Sequence, residues 1–396
     1  MKNRKFSHKL MENNIDKNDL NSIIKFLKTK PILTNYLKVK EFEKKWSKWL
    51  GVKYSIFVNS GSSANLLSIA YLKTLFKTGE IIVPTLTWSS DVSSIIHYNF
   101  KPTFVDINLN NLAISVENLK KKINKNTIAI FLTHILGLNG LSKEILKIAK
   151  EKKIMIIEDC CESHGAMFSK KKIGTYGLIS NFSFYYAHHM TTIEGGMIST
   201  NSSKVYEICR MLRSHGMVRE AINNKIKKNY EKKYPDLNSK FIFSYPAYNL
   251  RSTEINAVLG IQQLKKLNNN IKKRNENFKF FLDNLDKDKY FTSFDLRGQS
   301  NYAFIIIFSK KNQNLRFREK FERILKNNNI EFRRGTSGGG NQMRQPYVRN
   351  KYKFREKNFN NYPNTEIVHH YGYYLGNYPT LKKNKIKKIL GILNNL

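Results

Sequence analysis

The sequence predicts an α/β protein, with a large, mostly parallel sheet domain followed by a smaller α+β C-terminal domain. Two observations carry this. In the first half of the chain, short apolar runs alternate with amphipathic stretches. Strands buried on both faces read as continuous apolar runs, and parallel neighbours need a crossover, usually a helix, between them. Beyond Asn249 the texture changes to one long helical stretch and then scattered strands and helices. A chain of 396 residues has room for two or three domains. The expected division is an N-terminal helical segment over 1–30, a large domain over 31–250, and a linking helix with a small domain over 251–396.

The elements follow in order. The first thirty residues read as helical, with Ile15, Leu20, Ile23, Ile24 and Leu27 on one side. A second helix over 39–50 stops at Gly51, a normal C-terminal residue. A strand over 54–58 leads through a Gly/Ser turn into a helix over 64–75. Further strands are expected at 80–84, 102–107, 127–132 and 154–158, with a helix at 143–152 before the last. Runs at 182–185 and 196–200 extend the same sheet. The stretch 252–285 carries Ile255, Val258, Leu259, Ile261, Leu264 and Leu267 at helical spacing. After it come a strand at 302–308, a helix at 317–327, a strand at 330–333 and a closing helix at 381–393.

Composition excludes several classes. Hydrophobic content of 41% and aromatic content of 12% fit a folded chain, not a disordered one. No apolar run approaches the ~18 residues of a membrane span, and the basic start has no apolar core of a secretory signal. The three cysteines, Cys160, Cys161 and Cys209, make neither a disulfide framework nor a C-x-x-C metal spacing. These features lead us to expect a cytoplasmic protein with no membrane partner and no metal. The formal charge of +39 invites a nucleic-acid reading. The lysines run from end to end, however, and no helix-turn-helix, zinc finger or aromatic–basic RNA motif accompanies them. No nucleic-acid partner is expected.

Several segments carry chemistry. Residues 59–66, N-S-G-S-S-A-N-L, follow a strand and open a helix, where backbone N–H groups suit a phosphate. Residues 84–88 read P-T-L-T-W, and residues 156–166 read I-I-E-D-C-C-E-S-H-G-A. Residues 183–196 read S-F-Y-Y-A-H-H-M-T-T-I-E-G-G. Residues 213–217 (R-S-H-G-M), 248–254 (Y-N-L-R-S-T-E) and 340–346 (G-N-Q-M-R-Q-P) complete the set. In this order they resemble the DegT/DnrJ/EryC1/StrS family of sugar aminotransferases, over nearly the whole chain.

The resemblance implies a fold-type I pyridoxal phosphate-dependent transferase, aspartate aminotransferase-like. It implies that Gly61, Ser62 and Ser183 hold the cofactor phosphate, that Trp88 stacks on the pyridine ring, and that Asp159 pairs with the pyridine nitrogen. Glu162 stands where the family usually has Gln, near the cofactor hydroxyl. Asn249 would reach the cofactor phosphate of a neighbouring subunit, which implies a homodimer with shared active sites. His215, Arg219, Arg251 and Arg344 are candidate substrate contacts. The departure that matters is His188. The family pattern S-F-x-x-x-K places there the lysine that binds the cofactor covalently. Imidazole forms no stable imine but moves protons near neutral pH. The spacing from Ser183 selects His188 over His189.

This change resembles the sugar 3-dehydratase branch of the family. It implies pyridoxal and pyridoxamine phosphate as cofactor, L-glutamate as amino donor, and a nucleotide-linked 4-keto-6-deoxy sugar, GDP-linked first, as the substrate that loses its C3 hydroxyl. His188 would be base and then acid. The alternatives are a CDP- or dTDP-sugar 3-dehydratase, an aminotransferase using a lysine from elsewhere, and a non-catalytic regulatory protein of the same fold. The CDP type needs an iron–sulfur cluster, for which four thiolates are usual.

Overall fold

A computed structural model describes residues 6–396. Of the helix expected over 1–30, residues 1–5 lie outside the described residues. In the rest, only Lys17–Lys28 is helical. Asp16 caps it, accepting from the Asp19 N–H at 3.0 Å while its own N–H donates to Asp19 Oδ2 at 2.9 Å. The segment before it has no helix and crosses to the C-terminal domain. His8 forms a parallel bridge with Ile330, and its Nε2 lies 2.9 Å from the Gly376 carbonyl.

Seven strands form the large sheet: β1 (Tyr54–Val58), β2 (Glu80–Pro84), β3 (Lys101–Val105), β4 (Thr127–Thr133), β5 (Met155–Asp159), β8 (Ile179–Ser183) and β9 (Gly196–Thr200). A two-residue hairpin, β6 (Met167–Phe168) with β7 (Lys171–Lys172), stands apart. The order in the large sheet is β1-β9-β8-β5-β4-β2-β3. Only β9 runs antiparallel to its neighbours, so the sheet is mostly parallel as expected. The strand expected at 182–185 begins earlier, at Ile179. Its polar residues are buried: Asn181 Oδ1 accepts from Ser68 Oγ at 2.8 Å, Ser180 Oγ donates to the Gly174 carbonyl at 2.7 Å, and Asn181 Nδ2 has no hydrogen-bond partner among the described residues.

Helices cover both faces. One face carries the helices Gly61–Leu75 and Ser203–Arg213 over Ile56, Val83, Ile157 and Ile198. The other lies under the helix Leu37–Leu50, where Phe42 and Trp46 pack on Phe57, Phe182 and Phe184. Burying these side chains is worth ~2–3 kcal/mol each. One buried ion pair ties the layers: Arg213 Nη1 lies 2.7 Å from Glu43 Oε1, which also accepts the Phe57 N–H at 2.8 Å.

The helix Glu254–Asp283 leads into the smaller domain. There β10 (Ala303–Ile307), β12 (Gly372–Gly376) and β11 (Phe332–Arg334) form an antiparallel sheet in that order. The central strand, β12, has no counterpart in the sequence expectation; Gly and Tyr dominate it, and packing of Tyr373 on Phe308 and Phe321 supplies what propensity does not.

Candidate active site

The carboxyl ends of β4, β5 and β8 finish together, at Thr133, Asp159 and Ser183, where ligands bind in open α/β sheets. A cavity of about 580 Å³ opens there, a volume typical of a cofactor site. Its walls bring together Gly61, Ser62, Trp88, Asp159, Glu162, Ser183 and His188 from seven chain positions. The small domain adds Tyr302, Glu331, Arg333 and Tyr374, and the N-terminal segment adds Leu10 and Met11.

At one end the helix Gly61–Leu75 begins, with Ser60 Oγ capping the Ser63 N–H at 3.0 Å. Gly61 is required by close approach: a Cβ there would lie 2.6 Å from the Ser183 Cβ and 3.1 Å from Cys161 Sγ. Asp159 is almost fully buried. Its Oδ1 accepts the Cys161 N–H at 2.8 Å and its Oδ2 accepts from Asn65 Nδ2 at 3.0 Å. Trp88 keeps 49% of its surface exposed, in the cavity wall. Glu162 Oε2 accepts the Leu136 N–H at 2.9 Å, holding that residue at φ 51°.

The two adjacent histidines part company. His188 lines the cavity from a turn closed by its N–H on the Tyr185 carbonyl at 3.0 Å. Its Nδ1 is buried without a hydrogen-bond partner among the described residues. Burial pushes its pKa down to about 4; the nearby Asp159 carboxylate opposes this and the Arg274 guanidinium adds to it. His189 is fully buried away from the cavity. Its Nε2 lies 3.0 Å from the Ser300 carbonyl, which only accepts, so Nε2 carries the hydrogen. Burial keeps His189 neutral, so its Nδ1 accepts from His164 Nδ1 at 3.3 Å.

Behind them lies Arg274, a cation the sequence reading missed. It is fully buried and has no carboxylate partner among the described residues. It donates to backbone carbonyls, Tyr302 at 2.7 Å, Asn377, and His188 at 3.5 Å. Burial lowers its pKa to about 10. In the sequence Arg274 ends a Lys-Lys-Arg run that reads as a solvated face, so no local signal marks it. Tyr185, Tyr186 and Asn65 also escaped the sequence reading; Asn65 was legible only as part of the loop.

Five candidates lie outside the cavity. Asn249 is exposed, and its Oδ1 accepts from the N–H and Nε of Arg251 at 3.2 and 3.1 Å. His215 sits at φ 60° beside them, its N–H on the Tyr248 carbonyl. Arg219 is exposed, with its guanidinium 5.3 Å over the Phe241 ring. Arg344 is committed elsewhere: it pairs with Glu366 at 2.5 Å and Glu356 at 2.9 Å and stacks 4.1 Å over Phe359.

His134, Glu158 and Cys160 bring three ligand-type atoms within 4.8 Å of one another. His134 Nδ1 accepts the Gly140 N–H at 3.0 Å, which puts the neutral ring's hydrogen on Nε2, facing Glu158 at 3.4 Å. Glu158 is filled by the N–H groups of Gly174, Tyr176 and Gly177 at 2.8, 3.0 and 2.6 Å. With no free imidazole lone pair, the group is a hydrogen-bonded core and not a metal site.

The cavity residues fit pyridoxal phosphate. A helix start crowded too closely for any Cβ suits a phosphate, a buried carboxylate paired with no cation among the described residues suits a protonated ring nitrogen, and a half-exposed indole offers a flat face.

Comparison with known proteins agrees. The profile of the DegT/DnrJ/EryC1/StrS aminotransferase family matches residues 13–394. GDP-4-keto-6-deoxy-D-mannose 3-dehydratase of Escherichia coli O55:H7 is 35% identical over 86% of this chain and 87% of its own. The protein of the same name from Yersinia pseudotuberculosis is 32% identical over 96% of each chain. A crystal structure of GDP-4-keto-6-deoxymannose-3-dehydratase with a trapped PLP-glutamate geminal diamine superposes with a TM-score of 0.88, at 32% identity, covering 98% of this chain and 100% of that one. The chain belongs to the DegT/DnrJ/EryC1/StrS aminotransferase family.

Proposed function

We propose that the chain is a pyridoxal phosphate-dependent 3-dehydratase of a nucleotide-linked 4-keto-6-deoxyhexose, GDP-4-keto-6-deoxy-D-mannose first, with L-glutamate as amino donor. One observation carries the reading. At the place where the family keeps its lysine, an imidazole lines the cavity, and no lysine lines it among the described residues. An aminotransferase would need that amine. The names of the relatives, and the glutamate adduct in one of them, support the choice of substrate and donor.

When bound, pyridoxal phosphate supplies a carbonyl for the amino group of glutamate and a ring that accepts electrons. The chain supplies the rest. The N–H groups of the Gly61–Leu75 helix start, with Ser62 and Ser183, bind the phosphate. Asp159 keeps a proton on the ring nitrogen, and Trp88 holds the ring plane. His188, neutral at pH 7, accepts a proton at a ring nitrogen from carbon and returns it to the departing C3 hydroxyl. A lowered pKa weakens the base but strengthens its conjugate acid, which favours the second transfer.

The finer parts of the reading are a homodimer with shared sites and a cytoplasmic setting. Asn249 is exposed, and its chain segment also carries Tyr248, Phe243 and Phe241, each more than half exposed, apolar surface suited to a second copy. No helix of the described residues is long and apolar enough to cross a membrane. A cluster-dependent CDP-sugar mechanism is disfavoured by the thiols: Cys160 and Cys209 are buried, and only Cys161 reaches the cavity.

Mass spectrometry of reactions with glutamate and GDP-, CDP- or dTDP-4-keto-6-deoxyhexose tests the function. Loss of the C3 oxygen with ammonia release is expected with the GDP sugar; a 4-amino product would overturn the reading. Mixing inactive Asn249→Asp and His188→Asn subunits should restore activity if sites are shared, and an active monomer would exclude sharing.

A further inference from the structure

We infer that Asp91 is held as a carboxylic acid, sharing its proton with Asp159, and so acts as a positioning residue that leaves Asp159 the single anion facing the ring of the cofactor. The inference rests on the proposed function only for the task of Asp159; the proton is a property of the fold.

Asp91 is the third residue of the helix Ser89–His97 and has no exposed surface. Its Oδ2 accepts from the hydroxyls of Thr87 and of Thr133, the latter at 2.9 Å. Its Oδ1 lies 2.7 Å from Asn65 Nδ2, and the same nitrogen lies 3.0 Å from Asp159 Oδ2 and 3.0 Å from Ser90 Oγ. An amide nitrogen has two hydrogens, and the two carboxylates take up both, while the Ser90 hydroxyl can donate as well as accept. Among the described residues no Lys, Arg or His side chain pairs with either carboxylate. Two ionised carboxylates bridged by one amide, out of water and without a cation, repel each other and lose their hydration. One added proton resolves both problems. It removes one charge, and it lets Asp91 donate to Asp159 while Asn65 gives its two hydrogens to Asp91 Oδ1 and Asp159 Oδ2.

The surroundings favour placing that proton on Asp91. Burial, and next the Asp159 carboxylate, push Asp91 well above the usual carboxylate range. Asp159 differs in accepting the Cys161 N–H at 2.8 Å and in lining the cavity. The other titratable groups facing the pair are neutral: the Cys160 and Cys161 thiols and the Tyr347 phenol, pushed up chiefly by burial, and the His188 imidazole, pushed down to about 4 chiefly by burial. A neutral acid at 91 orients Asp159 through a hydrogen bond without setting a second negative charge against one ring cation.

The test uses the full chain, cofactor-free and cofactor-loaded, at pH 7. Difference infrared spectroscopy with carbon-13 aspartate should show a deuterium-sensitive carbonyl band of a protonated aspartic acid in the wild type and none in Asp91→Asn. Cofactor affinity should stay within about threefold of wild type in Asp91→Asn, which mimics the neutral acid, and fall at least about tenfold in Asp159→Asn. A wild type without the band would overturn the inference. So would a band that survives Asp91→Asn, or an Asp91→Asn variant as defective in cofactor binding as Asp159→Asn. If Asp91→Asn fails to fold, Asp91→Glu takes its place: with the label on aspartate only, the labelled band should vanish, and its persistence would overturn the inference. None of these readouts needs sugar turnover, so a failed dehydratase assay leaves them standing.

Discussion

Replacing His188 by Asn removes a proton acceptor while keeping a polar side chain of similar size. With its pKa pushed down to about 4, His188 is neutral in all but about one molecule in a thousand at pH 7. The base form is therefore already fully populated, and the variant loses the whole contribution. General acid–base catalysis is worth about 10²–10⁴-fold, or roughly 3–5 kcal/mol of barrier. The expected outcome is a kcat lowered by that factor for sugar-dependent release of ammonia, followed in a coupled assay, with cofactor affinity within about threefold of wild type. The acid limb of kcat/KM in the wild type should lie below the ordinary histidine range and disappear in the variant. His189→Asn is the control. It removes a buried donor to the Ser300 carbonyl and the acceptor for His164, so it should lower stability by about 1–3 kcal/mol while leaving kcat nearly unchanged in the folded fraction. An active His188→Asn beside an inactive but folded His189→Asn would refute the assignment.

Stability should fall as pH drops from 6.5 to 4. His8, His188 and His369 have pKa values pushed down to about 4, and His164 and His189 are held well below the ordinary histidine range, all chiefly by burial. In that window the unfolded chain binds more protons than the folded one, so each such group costs up to ~1.4 kcal/mol per pH unit; urea melts at pH 7 and 5 that coincide would refute this. Gly61→Ala should weaken the cofactor at least about tenfold, read by absorbance titration, because its Cβ would sit 2.6 Å from the Ser183 Cβ and force the helix start away. Glu43→Ala strands the buried Arg213 and should cost about 3–5 kcal/mol in chemical denaturation. Borohydride treatment followed by denaturation should release the cofactor; a phosphopyridoxyl-lysine peptide would show a covalent lysine and restore the aminotransferase reading.

The large domain was legible where the chain follows simple periods. Strands at 54–58, 80–84 and 196–200 were read with the bounds the structure has, because short apolar-centred runs lie there between turn and helix signals. β12 was not legible, since its Gly-Tyr composition becomes a strand only between β10 and β11. The N-terminal segment read as helical because Ile15 to Leu27 have the right spacing, yet only Lys17–Lys28 is a helix; the residues before it find backbone partners on the small domain instead. Motif order likewise marked the residues now gathered around the cavity, from Gly61 to His188. It could not show that Arg344 is held by Glu356 and Glu366, because those carboxylates lie 12 and 22 residues away on other helices.

By itself the sequence determined the fold class, the family and the identity of the residue that replaces the lysine, since these reside in local order and spacing. Only the tertiary structure decided the state of that residue and of its surroundings. It turned His188 to the cavity and His189 into the core, set the uncompensated Arg274 behind both, and joined Asp91 to Asp159 through Asn65. The reason is physical: proton affinity depends on burial and on charges summed over space, and those groups come together from helices and strands far apart in the chain.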